Sequence, residues 1–185
     1  MRVAHIKWVL LAAVLVVFIP WVLITLSRES NSAQVIEDSR EFSEPRIQFK
    51  FAKSIQWDPQ SFLGRGRNAG FWDWSEKGVV LTPKGQNHFV ENGPMIAGDL
   101  VVGKRKVTTV KSVQPNGDLR EVIFLWTWTD TTDAAKLFNQ PLQMGKEYQG
   151  VATLVDKGGG VWQVKSLSTP DFARTVDILK AETIR

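Results

Sequence analysis

The chain has 185 residues, no cysteine, two histidines and a formal net charge of +4. That length holds one domain and a tail, and the missing cysteine excludes thiol catalysis, iron–sulfur clusters, thiolate zinc sites and disulfides. Two of the four net positive charges belong to Arg2 and Lys7, ahead of the first apolar run, so the charge balance gives no argument for a nucleic-acid partner.

The run WVLLAAVLVVFIPWVLITL, residues 8–26, contains no charged residue. As a helix it would cross a hydrocarbon core of roughly 30 Å. Trp8 and Trp21 suit the interfacial zones, and membrane helices tolerate a proline such as Pro20. Arg2 and Lys7 precede the run, whereas Glu29, Glu37, Asp38, Glu41 and Glu44 follow it. The positive-inside rule therefore places the N-terminus in the cytoplasm. The run is longer than the apolar core of a signal peptide, and the small residues of SNSA come only after Arg28 and Glu29, so retention as a signal-anchor is expected rather than cleavage. The expected organisation is a cytoplasmic tail (1–7), a transmembrane anchor (8–27), a polar stalk (28–45) and an extracytoplasmic α+β domain (46–185). The expected location is the inner (cytoplasmic) membrane, single-pass, with the domain in the periplasm and the lipid bilayer bound through residues 8–27.

Within the stalk only Val35, Ile36 and Phe42 are large and apolar, which allows one helical turn before Pro45. In RIQFKFAKSIQW, residues 46–57, apolar residues alternate until Lys53 breaks the pattern, predicting a strand with an irregularity there. The segment FLGRGRNAGFWDW, residues 62–74, mixes arginine, glycine and tryptophan. It has neither the lysine of a phosphate loop nor the glycine spacing of a dinucleotide site. It reads as a tight, solvated connection, with Arg65 and Arg67 in water and Trp72 and Trp74 entering the core from one strand face. The alternative is that these four residues form part of a ligand or partner surface.

Next, VVLT predicts a short strand and TPKG a turn or the start of a short helix. Residues 99–114 alternate as one strand, with Lys104 and Lys106 on a solvated face. The Asn-Gly pair of PNGD closes a hairpin with residues 119–130. In that second strand Val122, Phe124, Trp126 and Trp128 share one face. Residues 132–141 have helical character ending at Pro141. Two further strands flank KGGG, residues 157–160. A C-terminal helix follows, with Thr169 as N-cap, Pro170 in its first turn, and Phe172, Val176 and Leu179 at helical spacing. The fold class is α+β, a curved antiparallel sheet packed by a few short helices.

No reaction chemistry stands out. His88 lacks a serine elbow or other triad partner and reads as an ordinary loop residue. Asp130 and Asp133 read as capping groups around TDTTD, residues 129–133, rather than as a metal site. No catalytic residue, cofactor or metal is expected.

The segments VIFLWTWTD and KEYQGVATLVDKGGGVWQVKSL resemble the closing strands of cystatin-like and nuclear-transport-factor-like domains. Such domains carry a long strand with alternating aromatics, then a small apolar strand (here residues 150–154), a Gly/Asp turn (156–160) and a W-x-V strand (Trp162, Gln163, Val164). Inner-membrane components of bacterial secretion systems combine one N-terminal span with a domain of this kind. The anchor, the short cytoplasmic tail and the empty catalytic inventory point to a non-catalytic, membrane-anchored extracytoplasmic domain that binds protein partners in a bacterial envelope assembly, an architecture analogous to those components. The alternative is a small-molecule or lipid-binding module whose pocket is lined by Trp57, Trp72, Trp74, Trp126 and Trp128. The candidate surface residues are thus Arg65, Arg67, Trp72, Trp74, Trp126 and Trp128.

Overall fold

Among the described residues, strand pairing gives three antiparallel sheets rather than the single one expected. The computed structural model describes residues 31–183. The tail, the anchor over 8–27 and the start of the stalk lie outside the described residues, among which no helix is long and apolar enough to cross a membrane. The class is α+β, as expected.

The helices are α1 (residues 31–38), α2 (Arg40–Ser43), α3 (Phe62–Asn68), α4 (Pro83–Gln86) and α5 (Pro170–Glu182), with a 3-10 turn at Asp133–Leu137. The first sheet has the order β1 (Arg46–Ala52), β5 (Met95–Val101), β4 (Phe89–Asn92). The second is the hairpin β2 (Trp72–Ser75) and β3 (Gly78–Leu81). The third runs β6 (Gly103–Asn116), β7 (Leu119–Thr131), β8 (Tyr148–Asp156), β9 (Trp162–Ser168) in sequence order.

The strand expected over 99–114 is therefore two strands meeting at Val102, which is fully buried. Its N–H donates to Pro45 O (2.9 Å) and its carbonyl accepts from Thr132 N (2.8 Å). The buried positions change phase at the junction, from Leu100 and Val102 to Gly103, Arg105 and Val107, as the pairing partner changes. Beyond it, three register shifts between β6 and β7 bend the third sheet, since each irregularity adds local twist. The PNGD hairpin forms as expected, with Asn116 opposite Leu119.

The described part of the expected stalk is packed against the domain. Ile36 and Phe42 are both fully buried, and Phe42 meets Phe124 edge-on at 5.7 Å. Burial of such a side chain contributes about 1.5–3 kcal/mol. Glu37 also accepts a hydrogen bond from Val107 N on β6 (2.8 Å). Two buried apolar side chains thus dock an otherwise polar segment.

The connection expected at residues 62–74 also differs, because FLGRGRN is helical as α3. Ser61 Oγ caps it by accepting from Leu63 N (3.2 Å), and Glu182 accepts from Phe62 N (2.7 Å). Phe62 and Leu63 are buried, which outweighs a glycine helix penalty of about 1 kcal/mol each. Gly66 is required for close approach, since a Cβ there would lie 1.9 Å from the Trp72 ring.

Candidate ligand-binding site

The face of β7 that alternation marks as inward carries Val122, Phe124, Trp126 and Trp128, each no more than 2% exposed. At the β8 edge of this face, register sets Trp126 opposite Tyr148. Their rings stack at 4.9 Å with an interplanar angle of 26°. Trp128 stands edge-on to Trp126 at 5.4 Å, and Phe172 from the first turn of α5 meets Trp128 at 5.6 Å. Residues 141–146 close the remaining side, tied down by the bridge of Met144 to Trp128. The result is a cleft of about 320 Å³ walled by Trp126, Trp128, Tyr148, Phe172 and Leu142. Lys146, Asp171 and Arg174 stand among its lining residues and are exposed, which sets them at the mouth.

The indole N–H of Trp126 is buried in this wall with no hydrogen-bond acceptor among the described residues. A buried, unmade hydrogen bond costs about 1–3 kcal/mol. Such a group marks a place where a water or a ligand oxygen would be accepted.

Behind the wall lies Arg105, on β6 and only 7% exposed. Its Nε donates to Phe42 O (2.9 Å), Nη2 to Glu41 O (3.0 Å) and Nη1 to Thr169 Oγ1 (3.2 Å). The guanidinium carbon lies 4.8 Å from the Phe42 ring centre, 4.9 Å from Trp126, 5.3 Å from Phe172 and 5.7 Å from Trp128. Among the described residues no carboxylate reaches it within ion-pair distance. Burial pulls its pKa down to about 10, opposed at longer range by Glu41. Thr169 is thus not the side-chain cap expected of it; its hydroxyl serves Arg105 instead.

Comparisons of the chain with family models, curated proteins and solved structures found no match.

The six candidate residues occupy three places. Trp126 and Trp128 form the cleft wall. Trp72 is fully buried within the aromatic set of β1, α3 and β4, its N–H donating to Leu63 O at 2.9 Å. Arg65 ties α3 to its neighbours, donating to Leu137 O (2.8 Å) and Gln60 O (2.9 Å) and pairing with Glu182 at 2.6 Å. Trp74 is half-buried and packs on Trp57 at 5.3 Å. Arg67 is exposed, 3.4 Å from Asp73 and 5.8 Å from the Trp57 ring centre. The five tryptophans expected to line one pocket do not share one, because Trp57 lies in the loop after β1, Trp72 and Trp74 on the second sheet, and Trp126 and Trp128 on the third.

His88 is exposed and edge-on to Phe71. Asp133 pairs with Lys84 and Lys136, each at 2.5 Å, while Thr132 Oγ1 caps Ala134 N (3.2 Å). No group of three or more potential metal ligands occurs among the described residues. Sequence reasoning missed Arg105, although the signal is present. It sits between Lys104 and Lys106, in phase with Gly103 and Val107 on the inward face.

Proposed function

We propose that the chain is a non-catalytic binding domain, carried on an N-terminal membrane anchor, that holds a small ligand in the Trp126–Trp128 cleft. The observation that carries this reading is a preformed cleft with aromatic walls and exposed cations at its mouth. Its volume lies at the lower end of the range for small-molecule sites, about 300–1,000 Å³. The anchor rests on the charge-free run and its flanking charges, and it would place the cleft on the outer side of the cytoplasmic membrane. The test is native mass spectrometry of the full chain after exposure to a metabolite and lipid extract. A bound small molecule is expected, and it should be absent from a Leu142→Trp chain whose cleft is filled. Failure of the natural chain to retain any component, or equal retention by the filled chain, would sink the reading.

A second reading, a domain engaging protein partners in an envelope assembly, is favoured by the edge of the third sheet. Among the described residues β9 pairs only with β8, which leaves its outer backbone as an edge for another strand. Val161 beside it is 58% exposed. Photo-crosslinkers at Gln163 and Lys165 should then give a discrete adduct in cells, and one that persists in an anchor-only control would count against this reading.

A further inference from the structure

Taking the cleft as the binding site, we infer that its ligand is a small anion with a flat body, an aromatic or similarly planar carboxylate. Aromatic enclosures are more familiar as cation sites, because the ring faces present negative potential. In this cleft that potential is already engaged from behind. The Arg105 guanidinium lies within 4.9–5.7 Å of the centres of three wall rings, Trp126, Phe172 and Trp128. No carboxylate among the described residues comes within ion-pair distance of it, and Glu41 acts on it only at longer range. The wall therefore carries a fixed positive charge, and a cationic ligand would meet occupied ring faces and like charge together.

The mouth has the same sign. Lys146 and Arg174 are exposed and have no carboxylate partner among the described residues, while Asp171 is the one acidic residue lining the cleft. Lys146 lies 5.2 Å from the Tyr148 ring centre, at the stacked end of the wall. A carboxylate can accept a charge-assisted hydrogen bond from either cation while its planar part lies against the half-buried rings of Tyr148 and Phe172. The volume of about 320 Å³ limits the body to one or two rings.

The test is a fluorine NMR titration of the full chain with para-fluorophenylacetate, its neutral amide and para-fluorophenethylammonium. The acetate should saturate with an affinity about tenfold above that of the amide, the scale of two exposed ion pairs, and the ammonium should not saturate. Replacing both mouth cations, Lys146→Gln with Arg174→Gln, should bring the acetate down to the amide and leave the amide unchanged. Both side chains are exposed, so folding is not at stake. If the amide or the ammonium binds as tightly as the acetate, the anion inference falls while the cleft remains a site. If none of the three saturates, or a Leu142→Trp chain binds the acetate undiminished, the cleft reading falls with it.

Discussion

Replacing Arg105 with methionine tests whether the buried guanidinium holds three elements together or is merely tolerated. Its three hydrogen bonds join β6 to α2 and to the residue preceding α5. At about 1.5 kcal/mol each for a charged donor they contribute roughly 4–5 kcal/mol. The ring contacts add about 2 kcal/mol in this desolvated setting. Against them stands the cost of burying the charge. The drop in pKa to about 10 corresponds to roughly 3 kcal/mol. Methionine restores about 1 kcal/mol of apolar contact, but leaves Phe42 O and Glu41 O without their donor. The expected loss is about 3 kcal/mol, or a urea midpoint lower by roughly 1–2 M at unchanged slope. Urea unfolding followed by tryptophan fluorescence and circular dichroism measures it. A midpoint shift under about 0.3 M would refute the reasoning, because burial would then cancel every contact, as it does for some buried ion pairs. The pH dependence has a definite sign. With its folded pKa below the ordinary arginine value, the native state releases the proton first. The stability of the natural chain relative to the methionine variant should therefore rise as pH climbs above about 10, and stay flat well below it.

Three further outcomes follow from neighbouring contacts. Gly66→Ala should destabilise by about 2 kcal/mol or more despite alanine's better helix propensity, because its methyl meets the Trp72 ring; a thermal midpoint at or above that of the natural chain would contradict the packing. Glu182→Gln should cost about 1 kcal/mol by removing the charge that pairs with Arg65, with the deficit shrinking at high salt. Asp133 is held down to about 2 by hydrogen bonds from Lys136 and Lys84. Its contribution is present above the ordinary carboxylate range and lost as pH falls through about 2. Asp133→Asn should therefore cost less than about 1 kcal/mol at neutral pH, and the gap should close on acidification. A gap that widens in acid would reverse that assignment.

Elements whose fate is decided locally were legible in the sequence. Alternation marked the Val122–Trp128 face, Asn-Gly marked the β6–β7 turn, and KGGG marked the loop before β9. Elements decided by distant partners were not. FLGRGRN is a helix because Glu182 meets its first N–H and Trp72 packs where Gly66 leaves room. Glu182 lies far outside that window. Residues 31–43 read as polar because Ile36 and Phe42 are sparse, yet both are fully buried. Of the candidate residues, Trp126 and Trp128 share the cleft because they are two apart on one strand. Trp57, Trp72 and Trp74 are separated from them by pairing that spacing cannot report. Arg105 was overlooked because a basic cluster normally signals a solvated face, although its phase placed it inward.

The docking of α5 onto α3 also bears on the order in which the chain folds. Phe62 and Glu182, joined through the first N–H of α3, are 120 positions apart, and nearby Leu179 is 1% exposed. The β6–β7 hairpin closes over a two-residue turn and can form as soon as its strands exist. The contact between Phe62 and Glu182 must wait for a long loop to close. Until it does, α3 lacks both its distant cap and the Arg65 ion pair, and the aromatic set around Trp72 stays incompletely covered. A nascent chain would therefore carry a finished third sheet beside an unfinished aromatic surface, which is the kind of surface that holding chaperones bind.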